Sequence, residues 1–478
     1  MWSKVGASLV LALALTACSD DSKDDRRSRG GGDDDPSGQP GDRDAGRGGP
    51  TGEVEPMSPA CEALHGETVY QSDAFATVVR DGRASADGYV ALLLDEQTAT
   101  DAPFRSSLRI VRAPSGPVRS DVALPGTALA LSDARAGRLS VLAGDPELLG
   151  PVSIASVDLA SATVTSAAPL EDLSDAPRVH YDDAGQIVHQ VASRALTVVR
   201  QDVASGASHI ARLDDGAHAV LVFVSDPLPT QGQAMGAWLF VLEPDGRLRA
   251  RVHVKTVREG FVGGVSLQRG PDDRLHVLTS VHRSERAGFE RIHGRALQAA
   301  SFERLPVLLT FSARGVLEDV HETAPAGCAS PLDATATALD VDDAGLAWVG
   351  SCDGGARAWL ATAEPAPDAP GNVTPLELGA KPRVGSVLRR KGAVFVAGAR
   401  NFGEVAPGRP GAPGDALLAR IEPDGRASLT CPYDTDRSDR FTLRRGERSL
   451  MILQYDTGLT DATGDDARAG TVVRYVAP

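Results

Sequence analysis

The feature that most constrains this chain is a unit repeated along it: an apolar strand, a charged turn that includes Gly, then a second apolar strand. The unit stands at 179–188, 339–349, 387–396 and 441–452, with similar stretches at 76–94, 129–142 and 265–278. Short apolar or alternating runs bounded by Asp-Gly, Asp-Asp and Pro-Gly read as strands joined by tight turns. After a loop each unit is followed by a second, more polar pair, at 108–122, 154–164, 196–213, 239–252, 308–320, 359–376 and 417–429. From Cys61 onward no persuasive amphipathic helix interrupts the pattern. The chain is therefore expected to be all-β.

Two hairpins per repeat make a four-stranded sheet, and such sheets in series are what the blades of a β-propeller require. The turn Glu-Pro-Asp-Gly-Arg occurs at 243–247 and again at 422–426. Together with 395–398 and 414–425 it resembles the divergent propeller repeats of exported bacterial proteins, a resemblance that implies architecture and no functional residue. Seven outer pairs are complete, and a last strand at 471–476 lacks a partner that 67–70 could supply. Sharing a blade between the two termini closes a ring. The count favours eight blades, with seven as the alternative, because 207–236 leaves room for one clear inner strand. Two stacked β-sandwiches are a third arrangement, disfavoured because no linker divides 61–478.

At the start, one positive residue (Lys4), an apolar run over 5–14 and Leu15-Thr16-Ala17-Cys18 have the order of a secretory signal. The apolar run is shorter than the about 20 residues a spanning helix needs. The motif resembles the lipobox of bacterial lipoproteins. That resemblance implies cleavage after residue 17 and acylation of Cys18, so the chain's membrane partner would be reached through lipid. Ser19 after the Cys implies the outer membrane in the enteric version of the family. Residues 18–60, rich in Asp, Gly and Arg, have too little apolar surface to offset ordering and are expected to be a disordered tether. Treated as a flexible coil the tether spans roughly 35 Å. The domain layout is thus signal peptide 1–17, lipidated tether 18–60 and propeller 61–478.

With Cys18 assigned to lipid, Cys61, Cys328, Cys352 and Cys431 remain. An even number in an exported chain suggests two disulfides with three possible connectivities. The preferred pairs are Cys328 with Cys352, close in sequence, and Cys61 with Cys431, which would tie the domain's start to its end; free buried thiols stay open. No two lie at the spacing of a zinc site.

A net charge of -15 disfavours nucleic acid and anionic lipid surfaces, which call for clustered positive charge. Two acidic loops, Asp434, Asp436 and Asp439, then Asp461, Asp465 and Asp466, offer oxygen ligands but match no full calcium-loop pattern, so solvated turns are favoured. His276, His282 and His293 crowd the Arg-rich insertion 280–306, at spacings that fit no metal motif. No metal or cofactor is expected. Neither a nucleophile elbow, a His-Glu-x-x-His helix nor a phosphate loop is present. The favoured reading is a non-enzymatic binding module facing an envelope protein or glycan. The competing one is an envelope enzyme, a quinoprotein-like dehydrogenase or a glycan lyase or hydrolase, acting in the funnel. Four Trp and six Tyr are few for a funnel that stacks a sugar or cofactor.

Overall fold

The computed structural model describes residues 59–476, apart from 73–75, 114–118, 145–151, 170–176, 182–186, 193–209, 229–231, 258–265, 329–333, 365–371, 401–414, 434–437, 458–468 and a few shorter stretches. Among the described residues seven four-stranded antiparallel sheets form the blades of a β-propeller. Blade 1 spans 76–121, blade 2 127–169, blade 3 210–257, blade 4 266–322, blade 5 334–376 and blade 6 383–433. Blade 7 is built from Ser438–Arg445, Leu450–Thr457 and Ala469–Val476, with Glu67–Gln71 as its outermost strand. The first strand of each blade touches the first strands of its two neighbours around a closed circle.

Alternation along the strands produces this packing. Successive side chains point to opposite faces, so in blade 1 Leu92 and Leu94 pack toward blade 7 while Ala91 and Leu93 pack toward blade 2. In blade 3, Trp238, Phe240 and Leu242 face blade 2, and Leu239 and Val241 face blade 4. Each of the seven interfaces between blades holds its own cluster of buried apolar side chains. Inner strands buried on both faces are accordingly near-continuous apolar runs.

The sequence pattern favours eight blades; the structure has seven. The unit at 179–188 does form a hairpin, Pro177–Tyr181 with Ile187–Ala192, but among the described residues these strands pair only with each other. The outer pair expected at 196–213 is not one: Ile210–Arg212 is the first strand of blade 3, and 193–209 lies outside the described residues. Blades 2 and 3 share a core directly, which leaves no place for a blade between them. A hairpin pattern reports two strands and cannot report whether two more will join them.

Ring closure follows the expected route. Glu67–Gln71 pairs with the third strand of blade 7, Glu67 opposite Tyr475 and Gln71 opposite Val472. Helix α1 (Pro59–His65) precedes this closing strand and places Cys61 between blades 6 and 7. Disulfides join Cys61 to Cys431, in the outermost strand of blade 6, and Cys328 to Cys352, in blade 5. Helix α2 (Arg286–His293) lies in the insertion of blade 4, where the sequence suggests only a polar loop.

Candidate functional site

Every blade is a meander, so its connections divide between the two faces of the ring. Those joining the first strand to the second, and the third to the fourth, emerge on one face; they are mostly tight turns. In the two Glu-Pro-Asp-Gly-Arg turns the amide of Glu243 donates to the carbonyl of Arg247 at 2.8 Å and that of Glu422 to Arg426 at 2.9 Å. Gly246 and Gly425 adopt φ +86 and +85, a left-handed conformation that favours glycine. A Cβ on Gly246 would lie 2.5 Å from the carbonyl oxygen of Pro169, in the outer strand of the preceding blade. The connections from second to third strand, and from one blade to the next, emerge on the opposite face. In sequence the strand ends on that face are separated by long stretches at 170–209, 283–303, 401–414 and 458–468, of which 283–303 is described throughout.

At the short-turn face the first strands end in charged residues that converge on the hub. Asp81 accepts from Arg83 of its own blade at 2.6 Å and from Arg444 of blade 7. Arg83 pairs with Asp133 of blade 2 at 3.1 Å, Arg135 of blade 2 with Asp214 of blade 3 at 2.7 Å, and Asp214 with Arg269 of blade 4 at 2.6 Å. Asp342 of blade 5 pairs with Arg389 of blade 6 at 3.2 Å. Arg445 of blade 7 reaches past blade 6, donating to the carbonyl of Arg389 at 2.9 Å, and pairs with Asp340 of blade 5. Above these, Glu447 accepts from the amides of Ala86 at 2.7 Å and Ala136 at 2.6 Å, spanning from blade 7 to the turns of blades 1 and 2.

Burial pushes the Asp340 carboxyl above its ordinary range, against the pull of Arg445. The Arg445 guanidinium is raised although its own burial opposes this, because Asp340 lies against it. Such pairs add little net stability, since desolvation offsets attraction, but removing one partner strands a buried charge. The cavity left among Arg83, Asp133, Asp340, Ser386, Arg444 and Arg445 measures about 20 Å³, room for about one water. Among the described residues no aromatic side chain lines it.

Two buried histidines lie at the starts of the second strands of blades 3 and 4. His218 Nε2 and Ser140 Oγ lie 2.8 Å apart across blades 3 and 2, and His276 Nδ1 is 3.1 Å from Thr310 Oγ1. Burial lowers both rings to about 4. Ser140 is wholly buried, so the Ser–His pair has no access to a substrate.

The histidines grouped by sequence are separated in space. His276 is buried near the start of the second strand of blade 4. His282 contacts Ser284 at 2.8 Å and Glu303 at 3.0 Å, while His293 donates to the carbonyl of Val254 at 2.8 Å, clamping α2 to blade 3. The Lys255–Glu285 pair, 3.4 Å apart and buried, fastens the same insertion. The structure does not bring the three together. Of the two acidic loops, residues 434, 436, 461, 465 and 466 lie outside the described residues, as does Cys18. The ion pairs of the hub are what sequence reasoning missed. Their signal was a charged residue closing each inner apolar run just before its turn.

No protein-family model and no curated protein matches the chain. Among solved structures it is similar to the β-propeller domain of the Trilobed protease from Pyrococcus furiosus, at 10% identity and TM-score 0.41, over 86% of this chain and 97% of that one. It is also similar to the Pyrococcus horikoshii acylaminoacyl peptidase, at 11% identity and TM-score 0.43 over 81% of this chain, which spans about half (53%) of that one. A third is the quinohemoprotein alcohol dehydrogenase from Comamonas testosteroni, at 8% identity and TM-score 0.42, over 87% of this chain and 77% of that one. The propeller architecture rests on the strand order and not on these likenesses.

Proposed function

We propose that this protein is an exported, lipid-anchored propeller that serves as a binding module in the cell envelope, engaging a protein or glycan partner through its long-connection face. The observation that carries the reading is the asymmetry of the ring. One mouth of the hub is bridged by side chains, and the long connections join strand ends at the other. Rigid scaffolds that display long loops on one side place recognition there. The lipobox at Cys18 and two disulfides, which persist in oxidising compartments, support export; Ser19 supports the outer membrane.

The enzyme reading needs carboxylates free to act beside an aromatic shelf. At the described mouth Asp133 and Asp340 are each held by an arginine, and the lining has no aromatic group. Binding is therefore preferred.

Mass spectrometry of protein from native membranes tests the anchor: an acylated Cys18 terminus is expected, and an unprocessed Met1 terminus overturns it. Photo-crosslinkers placed at 401–414 and 458–468, and in parallel at 243–247 and 422–426, test the face. Crosslinks confined to the first pair support the reading, and equal capture from both pairs sinks it.

A further inference from the structure

We propose that the Cys61–Cys431 disulfide is a tension bypass: a pull on the N-terminal segment is carried into blade 6 and never reaches the strand that closes the ring. The closing strand Glu67–Gln71 is short, and its register with the third strand of blade 7 is interrupted between Thr68 and Tyr70. Its first residue, Glu67, is also the one nearest the N-terminal segment. A pull arriving there would break the ladder one pair at a time, from Glu67–Tyr475 toward Gln71–Val472. That is the weakest way to load hydrogen bonds, because each bears the force alone.

Cys61 lies upstream of this strand, in α1, and is bonded to Cys431. Cys431 is fully buried in the outermost strand of blade 6, opposite Leu418, with paired residues on both sides of it. Force entering at residue 58 therefore passes from Cys61 through the sulfur–sulfur bond into the middle of a paired strand. Residues 62–66 stay slack. Within the seam, Tyr70 is buried and donates to Glu96 of blade 1 at 3.0 Å, so the closing strand also locks blade 7 to blade 1 and its loss would open the ring. The device's use in the cell rests on the tether reading above; the mechanics do not.

The experiment is single-molecule pulling on the chain from residue 19 onward, with one handle on an N-terminal tag and the other inserted in the 365–371 connection of blade 5. Acylation plays no part, so failure here is distinct from failure of the anchor. The oxidised protein is expected to show no early extension. Reduction of the folded molecule on the instrument, or the C61S/C431S double variant, is expected to add a low-force step that releases the chain from 62 to the start of blade 1, about 3.5 Å per residue. The C328S/C352S variant should behave as the oxidised protein. A low-force step in the oxidised protein, or none after reduction, would overturn the proposal.

Discussion

The two faces of this ring solve different problems with the same strands. On the short-turn face the connections are tight turns and the inner strands end in charge, so that Asp81, Asp133, Asp214, Asp340 and Asp342 meet arginines of other blades. On the opposite face the strand ends are joined by long segments, and the described insertion 283–303 is fastened to blade 3 by Lys255, Glu285 and His293. One face holds the ring in register, and the other joins its strand ends by connections of unequal length. Changes at the first should therefore cost stability, and changes at the second should cost recognition.

The largest effect is expected from Arg445→Met. It leaves Asp340 buried without its main counter-charge, at about 3–5 kcal/mol by the cost of breaking a buried pair. Chemical denaturation measures it, and Asp340→Leu added to the same chain should return most of the loss. A double variant no more stable than the single one would mean the mouth is not held by this pair.

Acid should act on the same face. His218 and His276 are neutral in the folded ring, with values near 4 against an ordinary 6.5. The unfolded chain binds their protons below pH 6.5 and the folded chain does not. Stability is thus full above pH 6.5, declines between pH 6.5 and 4, and flattens below, with up to about 3 kcal/mol at stake for each ring at 1.36 kcal/mol per unit. His218→Gln should shallow that decline; a decline unchanged in the variant would place the acid sensitivity elsewhere.

Gly350→Ala and Gly398→Ala should cost about 1–3 kcal/mol each, the usual penalty of overpacking. Their Cβ atoms would lie 1.9 Å from the carbonyl oxygens of Thr335 and Arg383, where the first strands of blades 5 and 6 bulge. Melting curves check this. Smallest is the effect of halving the 401–414 connection, which changes loop-closure entropy by only about 0.6 kcal/mol. The shortened chain should melt as before yet lose its partner in the crosslinking assay. Retained capture would move the binding surface to another connection.

Much of this architecture was legible, and for identifiable reasons. Repeated apolar pairs, the Glu-Pro-Asp-Gly-Arg turns, the unpartnered last strand and the even cysteines each report a local rule, and the ring is those rules applied in series. The blade number was not legible, because 177–192 obeys the hairpin rule without gaining outer strands among the described residues. The hub was hidden for a different reason. Asp81, Arg83, Asp133 and Arg445 sit where a solvated turn would also place charge, and only closure of the circle brings them together. Helix α2 escaped notice because Arg286 and Glu290 make it look like a polar loop, whereas Arg286 binds the carbonyls of Leu297, Ala299 and Ala300 and Phe289 is buried beneath.

Pairing Glu67–Gln71 with Ala469–Val476 also sets a timetable. A chain made from its amino end delivers the closing strand first and that strand's partner last. Blades 1 to 6 can assemble as they emerge, while the first strand waits with its backbone groups unpaired. Joining ends separated by several hundred residues costs roughly 5 kcal/mol in chain entropy if nothing between them has folded, and far less once six blades already bring them near. The blade that seals the molecule is thus the one whose completion must await the last residues of the chain, and until then the waiting strand is an open edge available to other pairing.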